Sequence, residues 1–147
     1  MKRSLALSFA GLVAGVAAFT LAFAADDRPN LRKPGTNRVF ELRTYTANPG
    51  KMDDLHKRFR EHTCELFKKH GMELIGFWTP QDEDKGKGSK LIYLLAFPSR
   101  EAAKKAWKDF GDDPEWKKVF EESHKDGVLV GKVESVYMDP TDYSALK

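Results

Sequence analysis

The sequence predicts an α+β domain in the order β-α-β-β-α-(α)-β, with one four-stranded antiparallel sheet. Three observations lead there. A period-two run over Arg38–Thr46 precedes a helical stripe over Lys51–His70. Two apolar runs, Met72–Thr79 and Leu91–Phe97, flank a charged loop that contains Gly86 and Gly88. Helical patterning then returns from Arg100 before a last alternating run, Val128–Met138.

The chain has 147 residues, and the first 24 read as a signal peptide. Met1-Lys2-Arg3 is followed by an apolar run from Leu5 to Leu21 and the small-residue triplet Ala22-Phe23-Ala24. Cleavage after Ala24 is expected, leaving 123 residues for a periplasmic or secreted product. A leader retained as an anchor is the alternative, although the run is near the short limit for a span. The leader holds two basic residues and no acidic ones. Of 25 Lys and Arg, 23 therefore remain against 22 Asp and Glu, and the net charge falls from +3 to +1. That removes the compositional argument for a nucleic-acid partner. Nothing after residue 24 is apolar for long enough to span a bilayer. Residues 25–37 are polar, hold Pro29, Pro34 and Gly35, and read as a flexible linker to a single domain over 38–147.

Within that domain, Val39, Glu41, Arg43 and Tyr45 point one way on the first strand, and Phe40, Leu42 and Thr44 the other. Asn48-Pro49-Gly50 turns the chain. Met52, Leu55, Phe59, Leu66 and Phe67 form the helix stripe, opposite Asp53, Lys57, Glu61 and Lys68, and Gly71 suits the helix end. Ser99 is a natural N-cap for Arg100–Phe110, whose inner side carries Ala103, Ala106, Trp107 and Phe110, and Gly111 is the expected stop. Asp113-Pro114 restarts a helix with Trp116, Val119, Phe120 and Ser123 inward, up to Gly127.

This order is the split-βαβ, ferredoxin-like arrangement, with helices on one sheet face. The other face needs cover, and no helix is left over to supply it. A second copy of the chain would close a dimeric α/β barrel.

If Phe40 and Leu42 pack under the helices, then Glu41, Arg43 and Tyr45 point into the space between the two sheets. Trp78, Tyr93 and Tyr137 are their candidate neighbours. One guanidinium and one carboxylate among aromatic rings suit a small, partly apolar acid or carbonyl compound. Arg43 would hold a carboxylate or enolate, Tyr45 would donate a hydrogen bond and Trp78 would wall the pocket. In the plainer reading, Glu41 and Arg43 pair with each other or across the dimer.

Other chemistry finds little footing. His56, His62 and His70 lie on the first helix without metal-ligand spacing, and helix-end electrostatics explains His70. Cys64, the single cysteine, cannot form an intramolecular disulfide. It shares no helix side with His62, which makes it structural filler. Gly86-Lys87-Gly88-Ser89-Lys90 lacks phosphate-loop spacing, and the Asp82 loop has Tyr93 where a calcium loop needs glutamate. No metal or other cofactor is expected.

A family resemblance runs through the domain. Phe40-Glu41-Leu42-Arg43-Thr44-Tyr45 with Pro49-Gly50-Lys51 resembles the opening of a NIPSNAP domain. Phe67-Lys68-Lys69-His70-Gly71, Gly76-Phe77-Trp78 and Leu95-Ala96-Phe97-Pro98-Ser99 follow in order. So do Ala106-Trp107, Asp113-Pro114-Glu115-Trp116 and Pro140-Thr141-Asp142-Tyr143-Ser144, so the resemblance covers 38–144. It implies a ferredoxin-like fold and a dimeric α/β barrel, without a firm activity. Animal NIPSNAP-like proteins are linked to mitochondria, vesicle trafficking and recruitment of autophagy factors, roles that do not fit an export leader. The wider superfamily includes cofactor-free and haem-dependent monooxygenases. The expectation is an exported homodimer that binds a small ligand or protein partner in the barrel without catalysis. A cofactor-free or haem-dependent monooxygenase-like enzyme is the alternative.

Overall fold

A computed structural model of the protein describes residues 38–147. The expected signal peptide over 1–24 and linker over 25–37 lie outside the described residues. Among the described residues, no helix is long and apolar enough to cross a membrane.

The strands are β1 (Val39–Ala47), β2 (Glu73–Trp78), β3 (Lys90–Phe97) and β4 (Val130–Met138). They pair antiparallel in the order β2-β3-β1-β4, which is the ferredoxin-like order. The hairpin expected between β2 and β3 is present, with a short 3₁₀ turn, Glu83–Lys85, at its tip.

The first crossover is one unbroken helical run in three parts. Helix α1 (Met52–Arg58) passes through a π-helical segment, Phe59–Thr63, into α2 (Cys64–Lys69). Asp53 and Asp54 in its first turn favour the helix start. At its end Gly71 takes φ +75°, and Met72 N–H reaches back to Phe67 C=O at 3.0 Å. Leu55, Phe59, Leu66 and Phe67 are buried, as the stripe predicts. The π segment is not in that pattern. There Cys64 N–H donates to Phe59 C=O, five residues back, and Thr63 Oγ1 donates to Arg58 C=O at 3.2 Å. The widened turn buries Arg58 and Thr63 beside the apolar stripe.

Helix α3 (Arg100–Asp112) begins where expected, with Ser99 Oγ accepting from Ala102 N–H at 3.1 Å. It continues through Gly111 instead of stopping there, because Asp113 supplies the break. Asp113 N-caps α4 (Pro114–Ser123), its Oδ1 accepting from Glu115 N–H at 2.8 Å. Val119 of α4 is buried, but Phe120 is 45% exposed and is not on the inner face. Helix α4 packs on α3 and α1, and its apolar stripe is narrower than the sequence pattern suggests.

The orientation of β1 is the main correction. Glu41, Arg43 and Tyr45 face the helices; Phe40, Leu42 and Thr44 face away. Register shows why. Arg43 sits opposite Tyr93 and Glu41 opposite Leu95, and both partners are fully buried in the core. The core is completed by Phe59, Phe67, Phe97 and Phe110. The opposite face carries Leu42 between Leu94 and Val136, and Phe40 between Ala96 and Met138. Phe40 is buried even so: Arg38 lies over its ring at 5.2 Å and donates from Nη1 to Lys147 C=O at 2.9 Å.

Candidate functional site

Five of the six candidate residues come together, in the layer between sheet and helices. Glu41 and Arg43 project from the same face of β1, two residues apart. Tyr137 on β4 sits opposite Glu41, Tyr93 on β3 sits opposite Arg43, and the Tyr45 and Tyr93 rings meet edge to face at 5.2 Å. Trp78 is elsewhere. It pairs with Ile92 on the outer row of the sheet, is 53% exposed and lies over Gly76. It therefore does not wall the Glu41–Arg43 site. It borders a separate cleft of about 400 Å³ with His56, Phe59, Cys64 and Phe77. Burial pushes the Cys64 thiol up, which suits the filler role and not that of a nucleophile.

Glu41 is 1% exposed, and a carboxylate so deep must be matched by donors. Trp107 Nε1 donates to Oε2 at 2.5 Å, Ser135 Oγ donates to Oε1 at 2.6 Å, and Arg43 Nη1 reaches Oε1 at 3.3 Å. The Arg43 guanidinium is stacked on the Trp107 ring at 4.1 Å, with the Tyr45 ring at 5.5 Å. At the open end, Arg100 lies over the Tyr137 ring. Burial and the Glu41 carboxylate both push the Tyr137 hydroxyl up. The Tyr93 hydroxyl is raised well above its ordinary value, by burial first and by neighbouring Tyr45 second.

Sequence reasoning missed Trp107, Ser135 and Arg100. Trp107 is on the inner side of α3 as expected, and Ser135 shares the period-two phase of Tyr137. A signal was present for both, but only the sheet register assigns them to Glu41. The pairing of Glu41 with Arg43, the plainer expectation, is observed. Spare capacity in the cluster is small: among the described residues, Arg43 Nε and Tyr93 Oη are buried without a hydrogen-bond partner. The bond from Trp107 Nε1 to Glu41 holds the sheet to α3. The described residues contain no group of His, Cys, Asp and Glu able to hold a metal ion. His70 Nε2 instead meets Asp113 Oδ2 at 2.7 Å, a specific contact in addition to its place at a helix end.

The NIPSNAP family model matches residues 40–145. The chain belongs to the NIPSNAP family. Solved NIPSNAP structures share its fold. A NIPSNAP family protein of unknown function from Agrobacterium tumefaciens superposes with a TM-score of 0.66 at 22% identity, covering 76% of this chain and 96% of that one. A second A. tumefaciens NIPSNAP family protein gives 0.66 at 23% identity, covering 75% and 99%. An uncharacterized NIPSNAP-like domain protein from Burkholderia xenovorans gives 0.65 at 14% identity, covering 75% and 90%. No curated protein matches the chain. At these identities the likeness concerns the NIPSNAP fold, and the chemistry must be argued from the residues.

Proposed function

We propose that this NIPSNAP-type chain is exported, forms a homodimer through the open face of its sheet, and binds a small ligand or protein partner between the two sheets without catalysing a reaction. The observation that carries this reading is the aliphatic row on that face. Val136 is 55% exposed and Met138 is 36% exposed, beside part-buried Leu42, Ile92 and Leu94. The charged groups that would populate a reactive inter-sheet cavity are turned to the helices and engaged there. An occupant of the inter-sheet space is accordingly apolar, not the acid or carbonyl compound that the strand pattern alone suggests. The basic, apolar and small-residue order of residues 1–24 supports export.

Sedimentation velocity of the secreted product tests the dimer. The expected result is a dimer at micromolar concentration, converted to monomer by Val136→Glu with unchanged circular dichroism. A monomeric wild type would reject the reading. Native mass spectrometry of the same sample reports any retained molecule, and its intact mass shows whether residues 1–24 are removed.

A further inference from the structure

A second polar site lies on the outer side of the helical layer, independent of the dimer reading. Arg58, the last residue of α1, is only 6% exposed. Among the described residues its guanidinium makes one hydrogen bond, a 3.4 Å contact from Nη1 to Ser123 Oγ of α4, and no ion pair. Its Nε is buried without a partner, and the Trp116 ring lies 5.2 Å away. A guanidinium offers five donors in a rigid fork, and a buried one left unpaired is costly. Burial already lowers its proton affinity from the ordinary value.

Arg58 does not sit against a closed core. It lines a cleft of about 380 Å³ between α1 with its π segment and α4, with Val119 and Ser123 as the other inner residues. The exposed wall is mainly acidic: Asp54 and Glu61 on one side, Glu122 and Asp126 on the other. Lys57 and His62 are the other basic groups there. None of the four carboxylates pairs with Arg58, because they stand at the solvent edge while the guanidinium is inside. The cleft therefore presents a cation at depth and a surplus of anions at its mouth. A simple anion is repelled on entry, and a simple cation meets Arg58. A molecule with a carboxylate at one end and an ammonium at the other satisfies both.

We propose that this cleft binds a small ammonium carboxylate of the basic amino-acid class. Its carboxylate is held by Arg58, and its side-chain ammonium, at the far end of the molecule, by the acidic mouth. The carboxylate accepts from the Arg58 Nη groups, adding charge-assisted bonds to a weak hydroxyl contact. The π segment that directly follows Arg58 fits this picture, since such turns occur frequently at functional sites.

Isothermal titration calorimetry at low salt tests it on the chain as the expressing cell matures it, with L-lysine, acetate and 1,5-diaminopentane as probes. L-lysine should bind, and the other two should bind about tenfold more weakly or not at all. Arg58→Gln should abolish L-lysine binding. Because that change touches a buried residue, a second variant, Glu122→Gln with Asp126→Asn on the exposed mouth, keeps the test independent of folding. It should weaken L-lysine severalfold with an unchanged circular dichroism spectrum. No binding of L-lysine into the millimolar range would overturn the proposal. So would equal affinity for 1,5-diaminopentane, or an affinity unaffected by the mouth variant.

Discussion

Trp107 Nε1 donates to Glu41 Oε2 at 2.5 Å, and this bond ties α3 to the centre of the sheet. The same indole lies against the Arg43 guanidinium, so one side chain answers both charges of the β1 pair. Trp107→Phe should leave Glu41 one donor short and cost about 1–3 kcal/mol. Glu41→Leu should cost more, about 3–5 kcal/mol, because it strands Arg43 without its anion. Urea denaturation of the two variants gives the order directly. A Trp107→Phe protein as stable as wild type would mean the bond contributes nothing.

Asp113 joins two roles, capping α4 and meeting Lys69 Nζ at 2.8 Å and His70 Nε2 at 2.7 Å. Hydrogen bonds from Lys69 first, and His70 second, hold its carboxyl far below the usual carboxylate range. A depressed folded-state value means that the stabilisation is present above the unfolded value of about 3.9 and is lost as pH falls below it. Asp113→Asn keeps a good cap but not the charge, so its melting temperature should decline less steeply with acid than that of wild type. Identical slopes in thermal melts from neutral pH into the acid range would show that Asp113 is not linked.

Ser99 is the single side-chain cap of α3. Ser99→Ala should destabilise the domain by about 1 kcal/mol, and Ser99→Asp should restore most of that. Equilibrium unfolding of the pair separates the cap from any loss of packing, since only the cap is rescued by aspartate.

Cys64 is half-buried, and burial is the main cause of its raised thiol value. Its reaction with a disulfide reagent at pH 8 should be about tenfold slower than that of a free thiol. A rate equal to or above glutathione's would reveal an activated cysteine and overturn the filler assignment.

Local chemistry decided the element order in the sequence. Ser99 and Asp113-Pro114 mark helix starts, because their side chains or ring solve the problem of unpaired N–H groups wherever the fold puts them. Gly71 marks an end for the complementary reason, its φ of +75° being open to glycine. Those signals, with the period-two and helical stripes, determine a ferredoxin-like chain and most of its core.

Only the tertiary structure decided which side of β1 is inside. A strand that alternates Phe40, Leu42 and Thr44 with Glu41, Arg43 and Tyr45 has one aliphatic and one charged row, and hydropathy favours burying the first. The protein buries the second, because Trp107, Ser135 and the register with Tyr93 and Tyr137 supply partners distant in sequence. The π turn after Arg58, and the cleft it borders, are likewise invisible to a stripe of apolar residues. A buried polar group is stable only through what it meets. What Glu41, Arg43 and Arg58 meet is set by chain segments about 50 to 100 residues away, beyond the reach of local periodicity.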